Sequence, residues 1–485
     1  MTTPLVRIAA PRRSQRWLVA AAALALAGCA STAIDDNFES ARRLGQQRLG
    51  ADVKWLTTDA SRQEAAAEVD ALLARPLGAD DAVRIALAYS PSLQAMLYEG
   101  AANSAAATQS ARLPNPVFAF ERLVRSEGGV RELEITRTLS FSILDLLLWP
   151  ARLRLADFQQ QSARFGLASG VVQAASAARQ AWVGAVAAQQ SVQYFEQVKT
   201  SADASAELAR RMQAVGNFSK LQRAREQAFS ADAVTQLARA RQAARSSREA
   251  LVRVLGLNET QAATLTLPDR LPDLPAAPRD EASVTRLAME QRLDVGLARA
   301  SLEFTAREQG LTRISSFVNG LELGVTRVSE TGLAPKKGFD INVPLPIFDF
   351  GDALRSRGQA SYMAALNRSA QLVVEARSQV RESYGAYRTA YDVSRHYRDE
   401  IVPLRRTIAE ENVLRYNGML IGVFELLADA REQVASVVQA IEAQRDFWLA
   451  DAALESALIG QPTAAPSRSM QGGPAGASRA GAAGH

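Results

Sequence analysis

The sequence predicts a mainly α-helical protein with a small β part, built twice from one unit of helix, strand, strand, long helix and helix. Three observations carry this. The composition is rich in Ala, Gln, Arg and Leu, low in aromatics, and holds one Cys and two His, a balance that favours long helices. GNFSKLQRAREQ at 216–227 lies over GVFELLADAREQ at 422–433 without a gap, sharing Gly, Phe, Leu and the run Ala-Arg-Glu-Gln. Upstream of each copy run two extended segments, with apolar residues at every second position in all but the less regular PVFAFERLV (116–124). A duplication of this size precedes every other question about the fold.

The first residues read as an export signal. A basic stretch holding Arg7, Arg12, Arg13 and Arg16 precedes WLVAAAALALAGC, whose apolar run of about eleven residues is too short to span a bilayer. The net charge of +5 falls to about +1 without those four arginines, so no nucleic-acid partner is expected. The run ends in Leu26-Ala27-Gly28-Cys29, and Cys29 is the sole cysteine. This resembles the bacterial lipobox, which implies a signal peptide over 1–28, acyl chains on Cys29 as a stable anchor, and, with Ala30 next, sorting to the outer membrane. An N-terminal anchor segment occupies 29–76, ahead of the first repeat at 77–257.

In the first repeat a helix is expected to end near Arg112, followed by strands over about 116–141. In ELEITRTLSF, Leu133, Ile135, Leu139 and Phe141 alternate with Glu132, Glu134, Thr136, Thr138 and Ser140. A long helix follows from about Ala151 to Val215, roughly 95 Å at 1.5 Å per residue, then a turn and a return helix ending at LGLN. A proline-rich connector fills 258–280. The second repeat, 281–460, opens with one helix of about 35 residues ending near Ser316, and its strands lie at about 318–347. There Phe339, Ile341, Val343, Leu345 and Ile347 alternate with Asp340 and Asn342. Its long helix should run to about Tyr416 with a kink at Pro403. The tail, 461–485, is rich in Gly, Ala and Ser and reads as disordered.

Alternation alone suits either a half-buried soluble sheet or a membrane barrel. Four strands cannot close a barrel, and open edges are not tolerated in lipid. If the strands enter a membrane, the protein must therefore oligomerise.

The order of elements and several local stretches resemble the TolC family of outer-membrane efflux proteins. LGADDAVRIALAYSPSLQAM (77–96) is similar to that family's opening helix, RLPNPVFAFE (112–121) to its strand start, PLPIFDFG (344–351) to its second strand-to-helix corner, and RYNGMLIGVFELLADAREQ (415–433) to its distal turn. LLLWPARLR (146–154) departs from the family's first corner. The resemblance implies a homotrimer whose twelve strands form one barrel in outer-membrane lipid, above a long helical tunnel in the periplasm. It implies a periplasmic adaptor and an inner-membrane transporter as partners, and export of drugs, solvents or heavy-metal ions. Glu132, Glu134, Asp340 and Asn342 would face the pore. A lipid-anchored periplasmic coiled-coil scaffold without channel activity is the alternative.

No catalytic, cofactor or metal site is expected: His485 lies in the tail, His396 reads as a helix-surface residue, and no phosphate loop or nucleophile elbow is present. A gate is expected at the distal end. Glu425 and Asp429 lie four apart, on one helix face, while the aligned residues of the first repeat are Ser219 and Arg223. Three such acidic pairs would converge in a trimer, with Arg223 and Arg415 the nearest basic partners by sequence. Ordinary surface pairing, or a helix-start acid favoured by the dipole, accounts for the same residues.

Overall fold

The computed structural model describes residues 29–127, 130–315, 321–343, 347–348 and 350–460. The expected signal peptide and C-terminal tail lie outside them.

The chain begins with α1 (Cys29–Leu44) and α2 (Asp59–Leu73), then enters α3 (Ala79–Tyr89) and α4 (Pro91–Ala111). The hairpin β1 (Val117–Glu127) and β2 (Val130–Ser142) leads into α5 (Ile143–Ala214). The return helix α6 (Lys220–Leu255) is followed by a short α7 (Glu259–Thr264) inside the connector. The second half repeats the order: α8 (Glu281–Gln291), α9 (Leu293–Ser315), β3 (Glu322–Glu330) and β4 (Lys336–Asn342). Then come α10 (Asp352–His396), a π-turn at Tyr397–Ile401, α11 (Val402–Asn417) and the return helix α12 (Val423–Ile459).

Each half breaks its incoming helix at the same kind of corner. Ser90 (φ −57°, ψ 125°) separates α3 from α4, and Arg292 (φ −67°, ψ 122°) separates α8 from α9. The first break is set by Pro91, because the residue before proline is pushed out of the helical region. The second has no proline, and it corrects the expected single helix over 281–316. Arg292 is 4% exposed, and its guanidinium donates to Asp294, the Ala457 carbonyl and Gln379. A buried cation must satisfy its donors, and leaving the helical path lets it do so. The return helices end against these corners in left-handed glycines. A Cβ on Gly256 (φ +72°) would meet Pro91 at 2.1 Å, and one on Gly460 (φ +100°) would meet Asp294 at 2.7 Å.

The first long helix starts eight residues earlier than expected and runs through Pro150, giving 72 residues, about 108 Å. Its start is fixed from outside. Ile143 and Leu144 both donate to the Leu321 carbonyl, Ser142 caps the Asp145 N–H at 3.2 Å, Asp145 pairs with Arg152, and the Trp149 indole holds the Ala111 carbonyl. These contacts settle the corner at 146–154 as helix. In the second long helix the irregularity near Pro403 takes the form of a π-turn, Tyr397–Ile401, directly before Val402 and Pro403. The wider turn absorbs the carbonyl that proline cannot bond.

The sheet is antiparallel in the order β1-β2-β3-β4, so the duplication meets at the β2–β3 pairing and both outer edges are open. β4 is described over Lys336–Asn342, and most of the rest of the expected run to Ile347, 344–346, lies outside the described residues. The apolar cores lie elsewhere. One packs the middle of α5 around Trp182 and Val186 against α3, the end of α6 and the connector. A second gathers Tyr387, Tyr391, Phe447 and Leu454. The third, toward the turns, joins Phe195, Val198 and Leu237 with Val434 and Val438. Among the described residues none of these cores lies on a face of the sheet.

Candidate functional site: a two-faced sheet and a distal helical tip

Register divides the strands into two unlike faces. Phe118, Leu139, Val325 and Phe339 stand side by side across all four strands, and Phe141, Leu323 and Ile341 form the row below. Phe118 is 63% and Phe339 75% exposed. A row of large apolar groups left in water costs about 25 cal/mol per Å², so this face needs a cover. Leu146 and Leu147 on the first turns of α5, with Ile347, Phe348 and Phe350 at the other corner, continue the exposed apolar surface below the strands.

The opposite face is polar. The expected pore residues Glu132, Glu134, Asp340 and Asn342 all have this register, together with Glu121, Glu322 and Glu330. Thr326 donates to Asp340 at 2.9 Å and lies 3.1 Å from the Thr138 hydroxyl. Gly324 leaves the room for that carboxylate: a Cβ there would stand 2.5 Å from Asp340 Oδ1. Glu134 faces Glu330 directly, and Lys336 offsets the pair with a 3.3 Å contact to Glu330.

At the far end the two turns lie beside each other through α5, α6, α11 and α12. Gly216 (φ +82°) closes the first turn and Ser219 caps α6 in a reciprocal box with Gln222. Met419 takes the same left-handed role in the second (φ 60°), and α12 begins at Val423. Val215, Leu221, Leu414, Met419 and Leu420 are exposed there.

The structure separates the two expected gate acids. Glu425 is exposed in the first turn of α12, while the Asp429 side chain is 12% exposed. Asp429 approaches Arg405 of α11 at 4.0 Å, and Arg405 binds Glu432 at 2.6 Å; its Oδ2 is buried without a hydrogen bond. Among the described residues no ion pair joins Arg223 or Arg415 to either acid. Arg223 instead donates to Gln213 at 2.9 Å, and Arg415 is exposed. Antiparallel packing brings Arg405 back over Asp429, a partner far enough along the chain to escape a reading by proximity. Sequence reasoning also missed Glu226, which is 1% exposed and held by Ser205 and by Arg431 of the other repeat, each at 2.7 Å. Its signal was the shared Ala-Arg-Glu-Gln run itself. His396 sits on the surface, 3.1 Å from Glu400. Cys29 is the first residue of α1. No cluster able to hold a metal occurs among the described residues, and no described helix is long and apolar enough to cross a membrane.

No protein-family model matches the sequence, and no curated protein matches it. Solved structures do. The CmeC outer membrane channel of Campylobacter jejuni superposes with a TM-score of 0.66 at 14% identity, over 79% of this chain and 85% of that one. The outer-membrane channel OprN gives 0.66 at 17% identity, over 84% and 94%. The outer membrane protein VceC of Vibrio cholerae gives 0.61 at 16% identity, over 83% and 98%. The likeness is one of fold: this chain has the TolC-type fold of those channels.

Proposed function

We propose that the protein is the outer-membrane conduit of a tripartite efflux pump, passing small molecules out through a homotrimer. The observation that supports this best is the sheet: one exposed apolar face, one acidic face and two open edges, mounted on long helices of which α5 reaches about 108 Å. Three copies would join their open edges into twelve strands, satisfying the backbone as lipid requires. Glu132, Glu134, Asp340 and Asn342 would then line the lumen. The exposed apolar side chains of both turns offer a surface for a periplasmic adaptor, which would connect the tip to an inner-membrane transporter. Acylation of Cys29 would add an anchor to the barrel.

Purified trimer reconstituted in a planar bilayer should give stepwise conductance. A lipid-anchored scaffold with a soluble sheet would give none, and that result would overturn the reading. Drugs, solvents and heavy-metal ions are the substrate classes to compare, by efflux assays with the cognate transporter.

A further inference from the structure

The sheet is polarised in charge as well as in hydropathy. Arg137, Arg327 and Lys337 stand directly opposite one another on three adjacent strands, with Phe120 completing the row. All three are exposed on the apolar face, and the remaining strand positions of that face include Arg122 and Arg131 but no acid. None of the three has a salt-bridge partner among the described residues. The Arg137 guanidinium lies 6.0 Å from the Phe120 ring centroid, which holds it along the row. Like charges placed directly opposite on neighbouring strands are destabilising, and no described residue brings a carboxylate to the row to relieve them.

The height of the row matters. From Arg137 down β2 to Ser142 and through the first turns of α5 to Leu147, the chain spans about 24 Å at ordinary strand and helix rises. That interval carries the two apolar rows and the exposed Leu146 and Leu147. It matches the roughly 25 Å apolar band of outer-membrane barrels. Beyond the row Ile135, Leu133 and Val124 stay on this face, but Arg122 and Arg131 stand among them. The row therefore marks where the face passes from wholly apolar to mixed with basic groups, as at the border of hydrocarbon and headgroups.

The geometry points to a binding band for phosphate-bearing lipid headgroups at Arg137, Arg327 and Lys337, with acyl chains lying against the apolar rows below. This rests on the barrel reading, in which the apolar face meets lipid. Phosphate is the group recognised, because arginine and lysine bind it by charge-assisted hydrogen bonds. The source is lipid and not the free ion, since the row borders apolar surface that only acyl chains would cover.

Native mass spectrometry of the full-length trimer in mild detergent tests this with phosphatidic acid, with diacylglycerol of the same chains, and with inorganic phosphate. Phosphatidic acid should be retained, diacylglycerol and free phosphate should not. The variant R137Q/R327Q/K337Q should lose about tenfold or more of that retention. It should still run as a trimer, because it removes a like-charge row; the single variant R327Q gives a milder loss with less risk to assembly. Equal retention by wild type and triple variant, or of diacylglycerol and phosphatidic acid, would overturn the proposal, as would displacement of the lipid by millimolar phosphate. Conductance of the same samples is scored separately. A wild type that retains phosphatidic acid but never conducts counts against the channel and leaves the lipid band standing.

Discussion

Arg431 of α12 donates to the buried carboxylate of Glu226 on α6 at 2.7 Å, so a residue of one repeat neutralises a residue of the other. Ser205 takes the second oxygen at 2.7 Å and the Phe229 ring lies 4.6 Å beneath the guanidinium. Removing one partner of a buried pair leaves the other charge stranded. Because Arg431 is about one-third exposed, Glu226→Ala should cost about 2–4 kcal/mol, and Glu226→Gln less. Denaturant unfolding measures this. Amide exchange should show the loss concentrated toward the turns of α6 and α12; a loss below 1 kcal/mol would mean the pair carries little stability.

The duplication carries this contact across the proposed trimer. Glu226 aligns with Glu432 and Arg431 with Arg225. If repeats alternate around a ring, Glu432 of one protomer should meet Arg225 of the next. Arg225 is exposed, and Glu432 is 61% exposed. Arg225→Glu should lower the trimer fraction seen by native mass spectrometry at low protein concentration. Adding Glu432→Arg should restore it. Trimer yields unchanged in the single variant, or unrescued in the double, would remove this pair from the interface.

Much of the architecture was legible because periodicity and duplication are properties of many residues at once. The places that were not legible turn on contacts made from other elements. The sequence starts the long helix at about Ala151, after Pro150, yet Leu321, Ser142 and Ala111 fix it eight residues earlier from other elements. Arg292 gives no local sign of a break, because the reason for it lies on Ala457 and Gln379. That Glu132, Glu134, Asp340 and Asn342 share one face was legible because period two fixes a residue's face whatever the strand's length. The partner of Asp429 was not, since proximity in sequence says nothing about which residue an antiparallel neighbour presents.

The sheet faces make a paired prediction. Ile341→Asp places a charge on the apolar face, and Asn342→Asp places the same charge beside it on the acidic face. Charges on a lipid face cost up to a few kcal/mol, depending on depth. Ile341→Asp should sharply reduce trimer recovered from outer membranes, and Asn342→Asp should leave it near wild type. Equal recovery of the two variants would mean that the faces are not divided between lipid and water.

Stability should respond to pH through Asp451. Burial pushes its carboxyl up to about 6 from 3.8, with Arg279 opposing the shift and Glu455 adding to it. The folded protein then holds the proton over a range in which the unfolded chain has released it. Stability therefore falls as pH rises from about 4 to about 6, and the cost of the buried charge is fully present above that. Asp451→Asn should flatten this dependence and stabilise the protein at pH 7.5 by about 1–3 kcal/mol, Arg279 keeping its 2.8 Å contact to Glu455. Thermal unfolding at pH 4.5 and 7.5 decides it. A variant less stable than wild type at pH 7.5 would show that attraction to Arg279 outweighs burial.

The distal acids divide into two roles that single variants can separate. Glu425 is exposed in the first turn of α12, where the helix dipole favours a carboxylate and no described ion pair neutralises it. In the proposed trimer three such carboxylates gather at the narrow end, where negative charge draws cations. Asp429 faces inward, and Arg405 ties it and Glu432 to α11. Its removal therefore loosens a helix pair instead of changing the charge seen by a passing ion. Glu425→Ala should weaken cation preference, read as a shifted reversal potential in a salt gradient, with unitary conductance near wild type. Asp429→Ala should raise open probability or conductance while the reversal potential changes little, and Arg405→Ala should reproduce it. The double variant Glu425→Ala/Asp429→Ala should show both effects. Wild-type selectivity and conductance in the double variant would reduce both acids to solvated helix surface, and identical changes from the two single variants would remove the division between field and latch.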